Sequence, residues 1–428
     1  MKLQAWYEKR GFRFVVERAK RLSQRYGVYP AKATARIRHC VSELQKFDCR
    51  PTFFVPAIVV RRNLRFIREL NERGCEIGVH GYQHLDLKSY TAGEASAQLL
   101  RAATSFEKFG LEVNGFRCPY LSVTDELLAE LPHGTFKYSS NKAVEWPYKN
   151  RPADDGRVVF ETIQEFYQGV PAESHMSLPW KQDGMVEIPV SVPDDLQLHD
   201  GLGYSLEEIA GAWSDLLGRT HQRGELFNLM FHPELANLVE APFITTLREA
   251  RNMEGGVWVA QLRDISEWWL EKDAYKIEIE RQGDGFVLNF ICGPRGTVLY
   301  RGFEIPQLST SWDATYRRLY ARHVTIEGRP LPLIQVAPDV PGWVSACLKQ
   351  LGYITLTPED GIDCSIHIEP AMVEQHNNPV ALRAAIESLD APLIRFWPWP
   401  DGQRSALCLT GDLDALSLAD YATRLLPT

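Results

Sequence analysis

The sequence has 428 residues, 45% of them hydrophobic and 24% charged, with 47 Lys and Arg against 55 Asp and Glu for a formal net charge of −8. This composition excludes disordered, collagen-like and coiled-coil chains, and the length allows two or three packed domains. The acidic balance excludes broad binding to nucleic acid or anionic membranes, which requires clustered Lys and Arg.

In chain order, the basic stretch Arg10–Arg38 is interrupted by apolar residues and reads as a solvated helix face. The first residues, MKLQAWYEKRGFRF, carry early charge and no apolar core of a secretory signal, so a cytoplasmic location is expected. No run of 18 apolar residues occurs, so no integral membrane segment is expected. The eight cysteines are scattered without a C-x-x-C pair and read as reduced core thiols.

The run from Arg50 to Pro56 is rich in β-formers, and Asn63–Arg73 spaces Leu64, Ile67 and Leu70 as a helix that Gly74 ends. A strand over Glu76–Val79 leads directly into His80. A helix over Ala92–Phe109 and a strand over Asn114–Arg117 follow. Further strands are expected at Met185–Val192, Leu226–Phe231 and Gly256–Val259, with helices at Ser205–Gly218 and Phe243–Arg251. Such alternation predicts an α/β fold, a parallel β/α barrel or a doubly wound sheet. After Trp268–Trp269 the pattern changes. Lys276–Tyr300 alternates apolar and polar residues as a small antiparallel unit, and 331–392 mixes short strands with helices over 342–352 and 379–389. A joint, Phe396-Trp397-Pro398-Trp399-Pro400, precedes a last apolar strand, Ala406–Leu409. The expected domains are 1–272, 273–335 (antiparallel β), 336–394 (α/β) and 395–428.

Three strand ends carry residues suited to chemistry. His80 and His84 stand at i and i+4, where one helical turn would present two imidazoles to one metal ion, although eleven histidines make a chance pair credible. In Gly115-Phe116-Arg117-Cys118-Pro119-Tyr120, Arg117 can orient a carboxylate and the Pro-Tyr turn can aim a backbone N–H at an oxyanion; a structural turn with a surface ion pair is the alternative. His232 closes the apolar strand Leu229-Met230-Phe231, as a general acid or a hydrogen-bonded rim residue.

In order and spacing, His80/His84, Arg117-x-Pro-Tyr120 and His232, with the strand Thr52-Phe53-Phe54-Val55 before them, resemble the polysaccharide deacetylases of the NodB-homology type, carbohydrate esterase family 4. The resemblance covers residues 35–270. It implies a distorted (β/α) barrel holding a divalent metal, zinc first and Co, Ni or Mn as alternatives, on two His and one Asp. The family's opening Thr-Phe-Asp-Asp-Gly strand is missing: Gly11–Arg36 contains one acid, Glu17, and no Asp. A similar sequence stands at the other end, Leu409-Thr410-Gly411-Asp412-Leu413-Asp414, one residue longer between the acids. It reads as the missing strand of a circularly permuted barrel, with residues 31–47 supplying the helix that follows it. The alternatives are the opening of a truncated second domain and a surface turn.

By that resemblance His80, His84 and Asp414 hold the metal and Asp412 is the general base. Arg117 holds Asp412, Tyr120 N–H stabilises the oxyanion, and His232 protonates the leaving amine. The family's Asp-x-Trp element has no clean match; Asp194-Asp195 could replace its acid, and Trp146 or Trp180 its wall. The expected substrate is an acylated amino sugar or glycan, lipid- or nucleotide-linked forms included. Hydrolysis of another C–N bond, in a formamide or cyclic ureide, and non-catalytic carbohydrate binding are the other readings.

Overall fold

The computed structural model describes residues 22, 25–149, 156–328 and 330–425. Of the basic stretch Arg10–Arg38, residues 10–21, 23 and 24 lie outside these. The described residues build an α/β fold around a curled twelve-stranded sheet, the expected distorted barrel, with β-rich additions. Across the sheet the strands run Val170–Pro171, Ala143–Glu145, Val190–Val192, Leu226–Phe231, Ser405–Asp412, Thr52–Val55, Glu76–Val79, Gly115–Phe116, Tyr138–Ser139, Met185–Glu187 and Trp180–Gln182. Only Trp180–Gln182 pairs antiparallel.

The strand Ser405–Asp412 lies at the centre of this order. One edge pairs in parallel with all of Leu226–Phe231; the other pairs first with Val257–Val259 and then with Thr52–Phe54. All eight of its residues are buried. A strand alternates its faces with period two. Leu407 and Leu409 join the cluster formed with the surrounding helices, including Ile37, Leu44, Leu70 and Leu247, while Ala406 and Cys408 pack on the other face with Phe54 and Tyr138. Thr410 and Asp412 continue that second face. Gly411 is required by close approach, because a Cβ there would stand 2.6 Å from Pro233 Cγ and 2.7 Å from the Phe53 ring. The helix Ala31–Gln45 packs against the helix Ala236–Asn252, and Gly27 bridges Ser417.

The expected strand Met185–Val192 is two strands, Met185–Glu187 and Val190–Val192, which pair with different neighbours on either side of Pro189. Pro189 has no N–H to donate to a ladder. The helix expected at Phe243–Arg251 starts earlier, at Ala236, and carries Pro242 inside it. A helix at Gly156–Tyr167 has no counterpart among the expected elements.

Among the additions, Lys276–Gln282, Gly285–Ile291 and His323–Ile326 form an antiparallel sheet. Val298–Arg301 leaves this unit to pair with Leu393–Phe396, and Leu331–Val336 pairs in parallel with Thr355–Leu356 and Cys364–Ile368. The expected boundaries at 336 and 395 therefore fall within strands. The joint to the central strand is anchored by two indoles, with Trp268 Nε1 donating to Pro398 O and Trp399 Nε1 to Gly224 O, both at 2.8 Å. No helix among the described residues is long and apolar enough to cross a membrane.

Candidate active site

His80 follows the strand Glu76–Val79, and its Nδ1 lies 2.8 Å from Arg117 O. A carbonyl only accepts, so Nδ1–H donates to it and Nε2 is the nitrogen that faces Asp414. His84 arrives by a bend, not by the helical turn its i, i+4 spacing suggests. The cause is Gly81 at φ 75°, a left-handed conformation that glycine adopts without the steric cost of a Cβ. The bend still brings the two rings to 5.1 Å.

Asp414, just past the central strand, completes the group. Its Oδ1 lies 3.4 Å from His80 Nε2 and 3.1 Å from His84 Nε2, and its Oδ2 lies 2.8 Å from Arg424 Nη2. Burial pushes the Asp414 carboxyl up, but His84, Arg424 and the imidazole contacts overcome it and hold the group well below the usual carboxylate range. Burial, then the Arg424 cation, lowers His84 to about 4. The set at neutral pH is therefore an ionised carboxylate beside a neutral His84, the protonation states that ligands need. His80 Nε2 and Asp414 Oδ1 are buried with no hydrogen-bond partner, and the two His and the Asp can each place a ligand atom within 4.8 Å of the others. Such orphaned atoms in a His2Asp set fit a divalent cation.

Asp412 lies beside this group, with Oδ2 4.0 Å from His80 Nε2. Its Oδ1 accepts from Arg117 Nη1 at 2.7 Å. Arg117 is fully buried and held on every side: Nη2 donates to Ser140 Oγ and Thr410 Oγ1, Nε donates to Ser140 O, and the guanidinium sits 4.4 Å over the Phe54 ring. Thr410 Oγ1 in turn donates to Asn228 Oδ1 at 3.0 Å. The surface ion pair offered as the alternative for Arg117 is absent. The network of Thr410, Asn228 and Ser140 fixes the guanidinium, and so the direction of the Asp412 carboxylate.

His232, at the end of Leu226–Phe231, is gripped twice by Asp195: Asp195 Oδ2 accepts from its backbone N–H at 2.8 Å and Oδ1 from Nδ1–H at 2.9 Å. Burial lowers the imidazole pKa, but the Asp195 charge and hydrogen bond reverse this and raise it to about 10. The adjacent Asp194 is raised to about 7, by burial and then by Asp195. Asp194 accepts from Tyr167 OH at 2.8 Å. The Asp-Asp pair thus meets the histidine. Neither suggested tryptophan does: Trp146 is buried under Arg223, and Trp180 donates to Gln182 on the sheet edge. The aromatic ring beside the histidines is that of Tyr120, whose backbone stands at φ 61° and whose ring lies 4.6 Å from His84 and 4.8 Å from Phe166.

Other charged residues at the site carry no local sequence signal. Arg424 pairs with Asp414. Glu234, two residues past His232, accepts from Arg25 Nε at 2.6 Å and Tyr26 OH at 2.8 Å across more than 200 residues of chain. Asp420 accepts from Asn63 Nδ2 at 3.2 Å and pairs with Arg62, fastening the segment after the central strand to the helices after Thr52–Val55.

Residues 28–138 match the family model described as polysaccharide deacetylase. That span includes His80, His84, Arg117 and Tyr120 and leaves out His232, Asp412 and Asp414. The uncharacterized protein YlxY of Bacillus subtilis (strain 168) is 29% identical over 107 residues, 24% of this chain and 33% of the relative. A bifunctional xylanase/deacetylase of Pseudobutyrivibrio xylanivorans is 28% identical over 100 residues, 23% of this chain and 16% of the relative. The chain thus spans a third or less of these relatives' lengths. A putative polysaccharide deacetylase from Mycobacterium smegmatis superposes with a TM-score of 0.42 at 21% identity, covering 56% of this chain and 77% of that one.

Proposed function

We propose that this chain is a metal-dependent hydrolase that removes an N-acyl group, acetyl first, from an amino sugar or a sugar-containing precursor. The observation that carries the reading is the convergence of Asp412 and Asp414, from the far end of the sequence, on His80, His84 and Arg117. The family match over residues 28–138 supports a deacetylase-type hydrolase, and the His2Asp group fits zinc. On this reading the barrel is circularly permuted: residues 395–428 complete the domain of residues 1–272, and the β-rich and α/β units between them are an insertion.

His80, His84 and Asp414 would hold the cation, which when bound supplies Lewis-acid polarisation of the amide carbonyl and a lowered pKa for water. Asp412 takes the proton from the water whose oxygen attacks the carbonyl carbon. Arg117 keeps that carboxylate aimed. The Tyr120 N–H donates to the oxygen that becomes negative. As the C–N bond breaks, His232 Nε2–H gives its proton to the departing amine, and Asp195 balances the imidazolium charge.

The test is metal content and acetate release from N-acetylated sugars in wild type and Asp414→Ala. Loss of the bound ion and of turnover in the variant is expected, and undiminished ion and activity would sink the reading. The acid role predicts a second result. A histidine raised to about 10 stays protonated through neutral pH, and the stability it adds is present below its unfolded value and is lost as pH rises through about 10. Asp195→Asn removes the charge that raises it, so the alkaline limb of kcat/KM should move down by about 1–3 pH units. A pH–rate profile with an unmoved alkaline limb would exclude His232 as the acid.

A further inference from the structure

We propose that the helix Gly156–Tyr167 is a fixed roof over the site, and that the substrate is therefore a single acylated unit, a small molecule or the terminal residue of a chain, and not the interior of a glycan. The inference rests on the hydrolase reading above and specifies its substrate class.

Burial is the first ground. His80, His84, Arg117, His232, Asp412 and Asp414 each expose 6% of their surface or less. A groove that lets a polymer lie across the scissile amide must leave its catalytic side chains open along a line, with subsites on both sides. Here no such side chain is open.

The helix packed against their neighbours is the second. Two consecutive residues at the end of the helix reach the two halves of the site. Phe166 stacks on Tyr120 at 4.8 Å with ring planes 27° apart, and Tyr120 packs edge-on against His84 on the metal side. Tyr167 OH donates to Asp194, next to the Asp195 that grips His232 on the acid side. The helix thus spans the position between base and acid, where a sugar ring must sit.

The roof is also fastened from Phe160 onward. Phe160 packs 5.1 Å from Tyr148 and against Gly201, where a Cβ would meet it at 2.9 Å. Gln164 Nε2 donates to Glu145 Oε1 at 2.9 Å, and Lys88 Nζ donates to Gln168 Oε1, just past the helix, at 2.6 Å. Contacts from Phe160 to Gln168 hold the helix where it crosses the site, so a chain continuing past the scissile unit on that side would meet it.

The experiment compares metal-loaded wild type and Phe166→Ala on N-acetylglucosamine, N-acetylgalactosamine and N-acetylmannosamine and on β-1,4-linked N-acetylglucosamine dimer to hexamer. Acetate release and product position are read by mass spectrometry. Wild type is expected to deacetylate monomer or one terminal unit, with kcat/KM no higher for hexamer than for dimer. Phe166→Ala, which thins the roof, should raise the hexamer-to-monomer ratio of kcat/KM about tenfold or more, the size of one lost steric contact of about 1.4 kcal/mol. Interior deacetylation by wild type, or rates that climb with chain length, would overturn the roof and leave the hydrolase reading standing. An unchanged ratio in a folded Phe166→Ala would also overturn it. Acetate release from none of these compounds would remove the hydrolase reading and this inference with it.

Discussion

Asp412→Asn should lower turnover by about 10²–10⁴-fold, the usual contribution of a positioned general base, while the protein still binds its metal ion. The substitution keeps an oxygen where Arg117 Nη1 now donates at 2.7 Å and removes the charge and the proton acceptor. Removing the charge has a structural cost, because Arg117 is fully buried and loses its counter-ion. Breaking a buried pair costs about 3–5 kcal/mol, less here because the amide oxygen still accepts. The measurement is therefore made well below the unfolding midpoint of the variant, with metal content determined on the same sample. Turnover within about threefold of wild type would show that the proton goes elsewhere. Loss of the ion along with turnover would instead make Asp412 a ligand.

The second large effect concerns the central strand. A chain ending at Pro400 should not fold cooperatively, even though about nine-tenths of the sequence remains. Ser405–Asp412 has sheet partners on both edges and all of its residues buried. Truncating a buried Leu to Ala alone costs about 2–5 kcal/mol, and Leu407 and Leu409 are both lost, which by itself approaches the 5–15 kcal/mol stability of a typical domain. The check is calorimetry of the truncated chain beside the full one. A normal cooperative transition would mean that the strand is peripheral. The converse experiment restores the usual chain order. With Gly27 bridging Ser417, a short linker from Leu425 to Gly27 would place the central strand ahead of Ala31–Gln45. A chain so rearranged, with the joint cut before Pro400, should bind metal if permutation is the right description.

Much of this was legible from the residues. The alternation of strands and helices, and above all the apolar runs Thr52–Val55, Glu76–Val79 and Leu226–Phe231, are local signals, and those strands form within a residue of expectation. His80 and His84 are visible by spacing, although the spacing suggests a helix and Gly81 makes a bend. What stayed hidden is what depends on long-range pairing. Nothing near Arg25 or Glu234 announces that they meet, since ion-pair partners over 200 residues apart leave no spacing to read, and the pairing of Arg424 with Asp414 carries no motif either. The roof helix was missed for another reason. Val159, Ile163 and Phe166–Tyr167 do carry a helical period. Gly156 before them and Gly169 after them, with no strand motif adjoining, make the stretch read as connection. The split at Pro189 was readable from proline chemistry alone.

The strand that occupies the centre of the sheet is the last of its strands to leave the ribosome. Through synthesis of everything before it, Leu226–Phe231 and Thr52–Val55 have an unfilled gap between them, and His80 and His84 face no aspartate. Closing that gap joins residues more than 170 apart in sequence, a slow class of contact. A chain that stops before Ser405 has His80 and His84 without Asp412 and Asp414, and leaves Leu226–Phe231 and Thr52–Val55 each with an unpaired edge. Quality control by the cell would see such chains as aggregation-prone β-edges and would not see them as weak enzymes.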